Sequence, residues 1–186
     1  MKILVLDGFP ARENRIGELV CSIVGQNNVE HVRLADRDIA WCRGCFHCWL
    51  ITPGECIIGD IGNDIARKFM DSELVVLLTP VTFGGYSSVL KKAVDRLIPN
   101  LSGLCTQYQG ETHHVKRYSR YPALAILGVQ KTPDSGVEEI FKELAERNRL
   151  NMYPQDFVSH VFNENTGANK LEAELASILG ELGVVK

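Results

Sequence analysis

The stretch Leu74-Val75-Val76-Leu77-Leu78-Thr79-Pro80-Val81-Thr82-Phe83-Gly84-Gly85-Tyr86-Ser87-Ser88 decides the fold. Its first five residues are aliphatic without a polar face, which marks a strand buried on both sides at the centre of a sheet. A loop with two adjacent glycines follows. Ser87 or Ser88 then offers a hydroxyl to cap a helix whose apolar face is Leu90, Ala93, Val94, Leu97 and Ile98, and Pro99 ends it. The result is one strand-loop-helix unit, and the pattern repeats in both directions along the chain.

Upstream, residues 2–6 form an apolar strand closed by Asp7-Gly8-Phe9-Pro10, and Ile16, Leu19, Val20, Ile23 and Val24 recur at helical spacing. Val29 to Leu34 alternates as a second strand. Ile61, Ile65 and Phe69 repeat every four residues as a helix, and a cysteine-rich insertion at 41–60 separates the two. Downstream, Ala123 to Val129 reads as the fourth strand, and Ser135 and Glu138 have capping-box spacing ahead of Val137, Ile140, Phe141, Leu144 and Ala145. Phe157 to Phe162 is the fifth strand. A last helix aligns Leu171, Leu175, Ile178, Leu179 and Leu182, with Gly183 as its stop. Five strands alternating with helices predict an α/β, flavodoxin-like three-layer sandwich with a five-stranded parallel sheet of order 2-1-3-4-5, as a single domain over 1–186. Residues 99–122 lack periodicity and read as a long loop, locally basic around Gly110 to Arg120, suited to covering a phosphate, forming a subunit contact or standing as a solvated loop.

The 186 residues are 45% hydrophobic and 23% charged, enough for one sizeable core, and the net charge of -3 holds no general attraction for nucleic acid. The longest apolar runs, Leu74 to Leu78 and Ala123 to Leu127, are far short of the roughly 18 residues of a membrane span. The N-terminal residues lack the pattern of a secretory signal. The expectation is a cytoplasmic protein without nucleic-acid or membrane partners.

Cys42, Cys45, Cys48 and Cys56 fall within fifteen residues, while Cys21 and Cys105 stand apart. Four thiols from one short loop are the number that closes around a cubane cluster or a tetrahedral metal. Two successive two-residue gaps resemble the start of a ferredoxin run, whereas structural zinc sites more often use two separated pairs. Iron-sulfur, zinc and free thiols all remain open from spacing alone.

In a parallel sheet of this order the ligand site lies at the carboxyl ends of strands one and three. The loop Pro80-Val81-Thr82-Phe83-Gly84-Gly85 suits a flat aromatic cofactor: backbone groups can bond the edge of an isoalloxazine ring, glycines permit close approach, and Phe83 or Tyr86 can pack on its face. The first loop, with Gly8, Phe9, Pro10, Ala11, Arg12 and Asn14, precedes a helix N-terminus, where free N–H groups favour a phosphate. Gly128 and Val129 end the fourth strand beside them. The cysteine loop follows strand two, which suggests that it lies on the same carboxyl-end side. The histidines are scattered and read as structural, and Lys91, Lys92, Asp95 and Arg96 read as a polar helix face, with Asp95 and Arg96 candidates to pin the preceding loop.

The segment Thr79-Pro-Val-Thr-Phe-Gly-Gly, the later Leu90-Lys-Lys-Ala-Val-Asp-Arg96 and the cysteine stretch ending Gly54-Glu-Cys-Ile-Ile-Gly-Asp60 together resemble the NAD(P)H-dependent FMN reductase superfamily, nearest to its iron-sulfur flavoproteins. The resemblance covers most of residues 1–98. It implies FMN held by the loops after strands one, three and four, a 4Fe-4S cluster on the compact cysteine motif, NAD(P)H as donor, a small-molecule or protein acceptor, and a dimer or tetramer. The first loop departs from the usual Ser-Pro-Arg, Thr82 replaces an aromatic residue, and of a usual aspartate pair only Asp60 is present. The rival expectation is a flavodoxin-like binding or redox-sensing module with a cysteine-bound structural zinc.

Overall fold

The computed structural model describes residues 1–10, 15–25 and 29–183. Its main sheet contains β1 (Ile3–Asp7), β2 (Val29–Arg33), β3 (Leu74–Pro80), β6 (Ala123–Gln130) and β7 (Phe157–Asn163). All pairs are parallel and the order is β2-β1-β3-β6-β7, the flavodoxin-like 2-1-3-4-5 arrangement of its five strands. Register Ile3↔Leu74 through Asp7↔Leu78 aligns the carboxyl ends of β1 and β3, the switch point of the topology.

Period-two alternation divides each central strand between two cores. Leu4, Leu6, Val75 and Leu77 face α3 (Ile61–Asp71), α4 (Ser88–Asp95) and α5 (Ser135–Met152), whose Ile65, Phe69, Leu90, Ala93, Phe141 and Ala145 complete one layer. Ile3, Val5, Leu74, Val76 and Leu78 face α1 (Arg15–Val24) and α6 (Ala168–Glu181), through Ile16, Val20, Leu171, Leu175 and Leu179. Helices cover both faces, as the unbroken apolar strands require.

Two local expectations are corrected. Asp134, not Ser135, caps α5: its carboxylate accepts from the N–H groups of Gly136 and Val137, and an ionised acceptor at a helix N-terminus outcompetes the adjacent hydroxyl. Residues 99–122 are not a loop. After a 3-10 turn at Ile98–Asn100 they form an antiparallel ribbon of β4 (Leu101–Tyr108) and β5 (Glu111–Lys116), joined through Gln109 and Gly110 at positive φ. Most of β4 is exposed, so no apolar alternation announces it.

Such a ribbon needs packing to persist. Leu101, Tyr121 and Tyr153 form a small core under it, and the Tyr153 hydroxyl donates to the His114 carbonyl at 2.6 Å. The expected basic segment also serves this anchoring. Arg117 Nε donates to the carbonyls of Pro99 (2.9 Å) and Leu101 (3.2 Å), closing the ribbon's base.

Candidate functional site

At the switch point, Gly8 N–H donates to the Leu78 carbonyl (2.8 Å), and Ser87 Oγ donates to the Gly8 carbonyl (2.6 Å) while capping α4 through Leu90 N–H. A Cβ on Gly8 would lie 2.5 Å from Leu90 Cβ, so only glycine lets the first loop lie on the start of α4. Phe9 N–H donates to Asp7 Oδ1 at 3.0 Å, Phe9 packs against the α1/α6 core, and Pro10 is exposed. Ala11, Arg12 and Asn14 lie outside the described residues.

Beyond β3, Val81 N–H extends the ladder to the Val129 carbonyl. Thr82 and Gly85 exchange both backbone hydrogen bonds at 2.9 Å around Phe83 (φ 51°) and Gly84 (φ 76°), a tight turn with two left-handed central residues. Phe83 is a non-glycine residue in that region, an uncommon and costly conformation, and its ring stands fully exposed at the tip. The Phe83 and Gly84 amides take no part in the turn's own bonds. Tyr86 is instead a core residue: it packs edge-on to Phe141, its hydroxyl accepts from Asn148, and burial pushes its pKa up. Gly128 and Val129 sit level with Thr79 and Pro80, both buried. A Cβ on Gly128 would press to 2.8 Å from Val81 and 2.9 Å from Phe141, so close helix-sheet packing accounts for that glycine.

One pair here is absent from the sequence reading. His31 Nε2 meets buried Asp7 Oδ2 at 3.1 Å, and this hydrogen bond, followed by one with Cys21, pushes the His31 pKa up to about 9. Both residues stand singly in sequence, so only strand pairing reveals them.

The cysteine segment runs from the end of β2 down the flank of α4. Lys92 stacks over Trp41 at 5.5 Å, and α2 (His47–Leu50) seats Trp49 against Gly103 of the ribbon. Asn63 clamps Cys56, donating to its carbonyl (2.9 Å) and accepting from its N–H (3.0 Å). Cys42, Cys45, Cys48 and Cys56 line one cavity of about 70 Å³ with Phe46, Trp49, Ile58, Ile98, Pro99 and Arg96. Burial first, and then the neighbouring cysteines, raises the Cys48 pKa. Among the described residues, no three His, Cys, Asp or Glu groups converge on a single-ion site. Four thiols lining one cavity are the number that either a cubane cluster or a tetrahedral metal takes.

Arg96 organises this region and is only 1% exposed. Its terminal nitrogens grip both Asp60 oxygens at 2.8 Å and the carbonyls of Ala40 (3.2 Å) and Ile58 (3.1 Å), tying together the two ends of the cysteine segment. Thus Arg96 pins the cysteine loop, not the loop preceding α4. Burial raises the Asp60 pKa, but Arg96 and the amides of Ala40 and Gly62 outweigh it and hold that carboxyl below its usual range. Burial opposes the Arg96 charge as well, and Asp60 with the nearby Cys56 sulfur more than compensates. Among the described residues Arg96 Nε is nevertheless buried without a hydrogen-bond partner, a condition that costs about 1–3 kcal/mol. Ser87 starts α4 beside Gly8, whereas Arg96 follows its end beside the cysteines, so α4, roughly 12 Å long, runs between the two regions.

The NADPH-dependent FMN reductase family model matches residues 1–111, more than half of the chain. The chain belongs to this family. An iron-sulfur flavoprotein of Methanocaldococcus jannaschii is 32% identical over 104 residues, covering 53% of each protein. The chain spans about half the length of the curated relatives it matches. Among solved structures, an NAD(P)H:quinone oxidoreductase from Methanothermobacter marburgensis aligns over 95% of this chain and 91% of its own, with TM-score 0.66 and 10% identity. A Bacillus anthracis FMN-dependent NADH-azoreductase in complex with FMN aligns over 98% and 97%, with TM-score 0.65 and 12% identity. These structural likenesses establish the shared fold. The family match includes both the switch-point loops and the cysteine segment.

Proposed function

We propose that the chain is an FMN-dependent NAD(P)H oxidoreductase that delivers electrons to a small acceptor or protein partner, with a 4Fe-4S cluster on Cys42, Cys45, Cys48 and Cys56. The observation that carries this function is the pairing, at opposite ends of α4, of a glycine-bearing switch point with a cavity ringed by four thiols. When bound, the flavin exchanges hydride or single electrons and the cluster relays one electron at a time. The amides of Phe83 and Gly84 would bond the ring edge, Phe83 would cover an exposed ring face, and Gly8 to Asn14 would receive the phosphate. Pro80, Val81, Thr82 and Gly85 would complete the loop around it, and the ends of β3 and β6 at Gly128 and Val129 would back it.

Cys42 and Cys45 are exposed, as is Cys105, which accords with a reducing, cytoplasmic setting. No helix among the described residues is long and apolar enough to cross a membrane. Trp41, Phe46, Leu50, Ile51 and Ile57 expose large apolar side chains from the cysteine segment, which supports a homo-oligomer contact there. Size-exclusion chromatography with light scattering on wild type and Leu50→Glu tests that contact: a smaller assembly in the variant is expected, and an unchanged one removes it.

The functional test is a visible spectrum with iron, sulfide and zinc analysis on anaerobically purified protein, followed by reduction with NADH or NADPH. Flavin bleaching and four iron atoms per chain are expected. Stoichiometric zinc with no flavin would replace this function with the binding-module alternative.

A further inference from the structure

Arg96 has five N–H donors in a rigid planar fork, and four are assigned: the terminal groups hold Asp60, Ala40 and Ile58. Because the Asp60 grip is bidentate, the guanidinium plane is fixed, and with it the direction of Nε–H. That remaining donor is buried without a formed hydrogen bond among the described residues, on a side chain that lines the four-cysteine cavity and already interacts favourably with the Cys56 sulfur. Buried donors rarely stay unpaired, so the Cys56 sulfur, or a sulfide held beside it, is the natural acceptor.

We infer that Arg96 is a positioning residue for the cysteine-held cluster, donating its Nε–H to Cys56 Sγ or to a cluster sulfide and thereby raising the cluster's reduction potential, an inference that rests on the 4Fe-4S cluster proposed above. Reduction by dithionite adds one electron to the cluster, forms or breaks no bond in the chain, and leaves the centre one charge more negative. A fixed N–H donor interacts more strongly with the more negative state and so favours reduction. Asp60 works in the opposite sense: its carboxylate offsets the guanidinium charge that the cluster would otherwise meet. One ion pair therefore holds the loop and sets the potential.

The test is a dithionite titration of the anaerobically reconstituted full chain, followed by electron paramagnetic resonance. Arg96→Lys keeps a cation but loses Nε–H, and its midpoint potential is expected to move to a more negative value. Asp60→Asn keeps Nε–H but removes the offsetting charge, and its midpoint is expected to move to a more positive value. Two unchanged midpoints, or displacements of the same sign, overturn the inference, because a purely structural clamp gives no opposed pair. Where a variant loses its cluster, the Arg43→Gln protein grown on arginine labelled with 15N at Nε provides the measurement, since Arg43 is the other arginine lining the cavity. Pulsed resonance is expected to detect 15N coupling to the reduced cluster, and its absence overturns the inference. A wild type that takes up no stoichiometric iron and sulfide removes the cluster and the inference with it, whereas a loaded wild type without these effects removes the inference alone.

Discussion

The two ends of α4 are built in different ways. At its start, backbone bonds and close glycine packing join β1, β3 and the first turn of the helix, so the switch-point scaffold follows from the sheet. Past its end, the cysteine segment has one short helix of its own, and its two ends are fastened at Asp60, by the Arg96 ion pair and by the Ala40 N–H. The first region inherits rigidity from many weak contacts. The second has fewer ties, of which the Arg96 guanidinium makes the most, and the consequences of mutation should differ accordingly.

The largest expected effect is Arg96→Met. It leaves Asp60 with only the amides of Ala40 and Gly62 and strands the Ala40 and Ile58 carbonyls, and breaking a buried pair from one side costs about 3–5 kcal/mol, toward the lower end here because Asp60 is partly exposed. Urea unfolding measures the loss, and limited proteolysis should cut first within 40–60. Cleavage elsewhere first would end the contrast between the two regions.

Gly8→Ala comes next. The added carbon would meet Leu90 Cβ at 2.5 Å and force loop and helix apart, at a cost of roughly 1–3 kcal/mol, together with weaker FMN binding by fluorescence quenching. Unchanged stability would show that this junction is softer than its bonds imply.

The Asp7–His31 pair supplies a pH dependence at the switch point. Its folded-state pKa of about 9 is above the ordinary 6.5, so its stabilisation is fully present below about pH 6.5 and is lost as pH rises through 9. On the order of 1 kcal/mol is expected once partial solvent screening is allowed for. Denaturation midpoints at several pH values should show this slope in wild type and lose it in His31→Asn. An equal slope in both assigns it elsewhere.

The smallest effect on stability is expected at Gly85→Ala. A Cβ there finds only ordinary contacts, the nearest being Leu144 at 3.6 Å, so stability should change by less than about 0.5 kcal/mol. Any loss of FMN affinity then reports on the flavin site. Gly84 cannot serve, since its Cβ would reach 2.6 Å from Ile140 at positive φ. Unaltered affinity in Gly85→Ala would argue that the ring lies away from this backbone.

The sheet was legible because its evidence is local. Leu74 to Leu78 and Ala123 to Val129 are apolar on both faces, and a parallel strand covered by helices has no other pattern. The cysteine spacing likewise identified four thiols that line one cavity. The β4–β5 ribbon escaped because its exposed strands lack an apolar face, and Tyr86 escaped because an aromatic residue in a loop reads the same whether it enters the core or faces a ligand.

By itself, then, the sequence determined the strand order, the switch point and the grouping of the thiols, all encoded by periodicity and short spacing. Only tertiary structure decided that Arg96 is buried, that it grips Asp60 from thirty-six residues away, and that the cysteines lie past the far end of α4 from Gly8. A charged residue on a helix has the same sequence signature whether it meets water or a carboxylate. Which one it meets depends on where a distant segment returns, and the partner sets the energy.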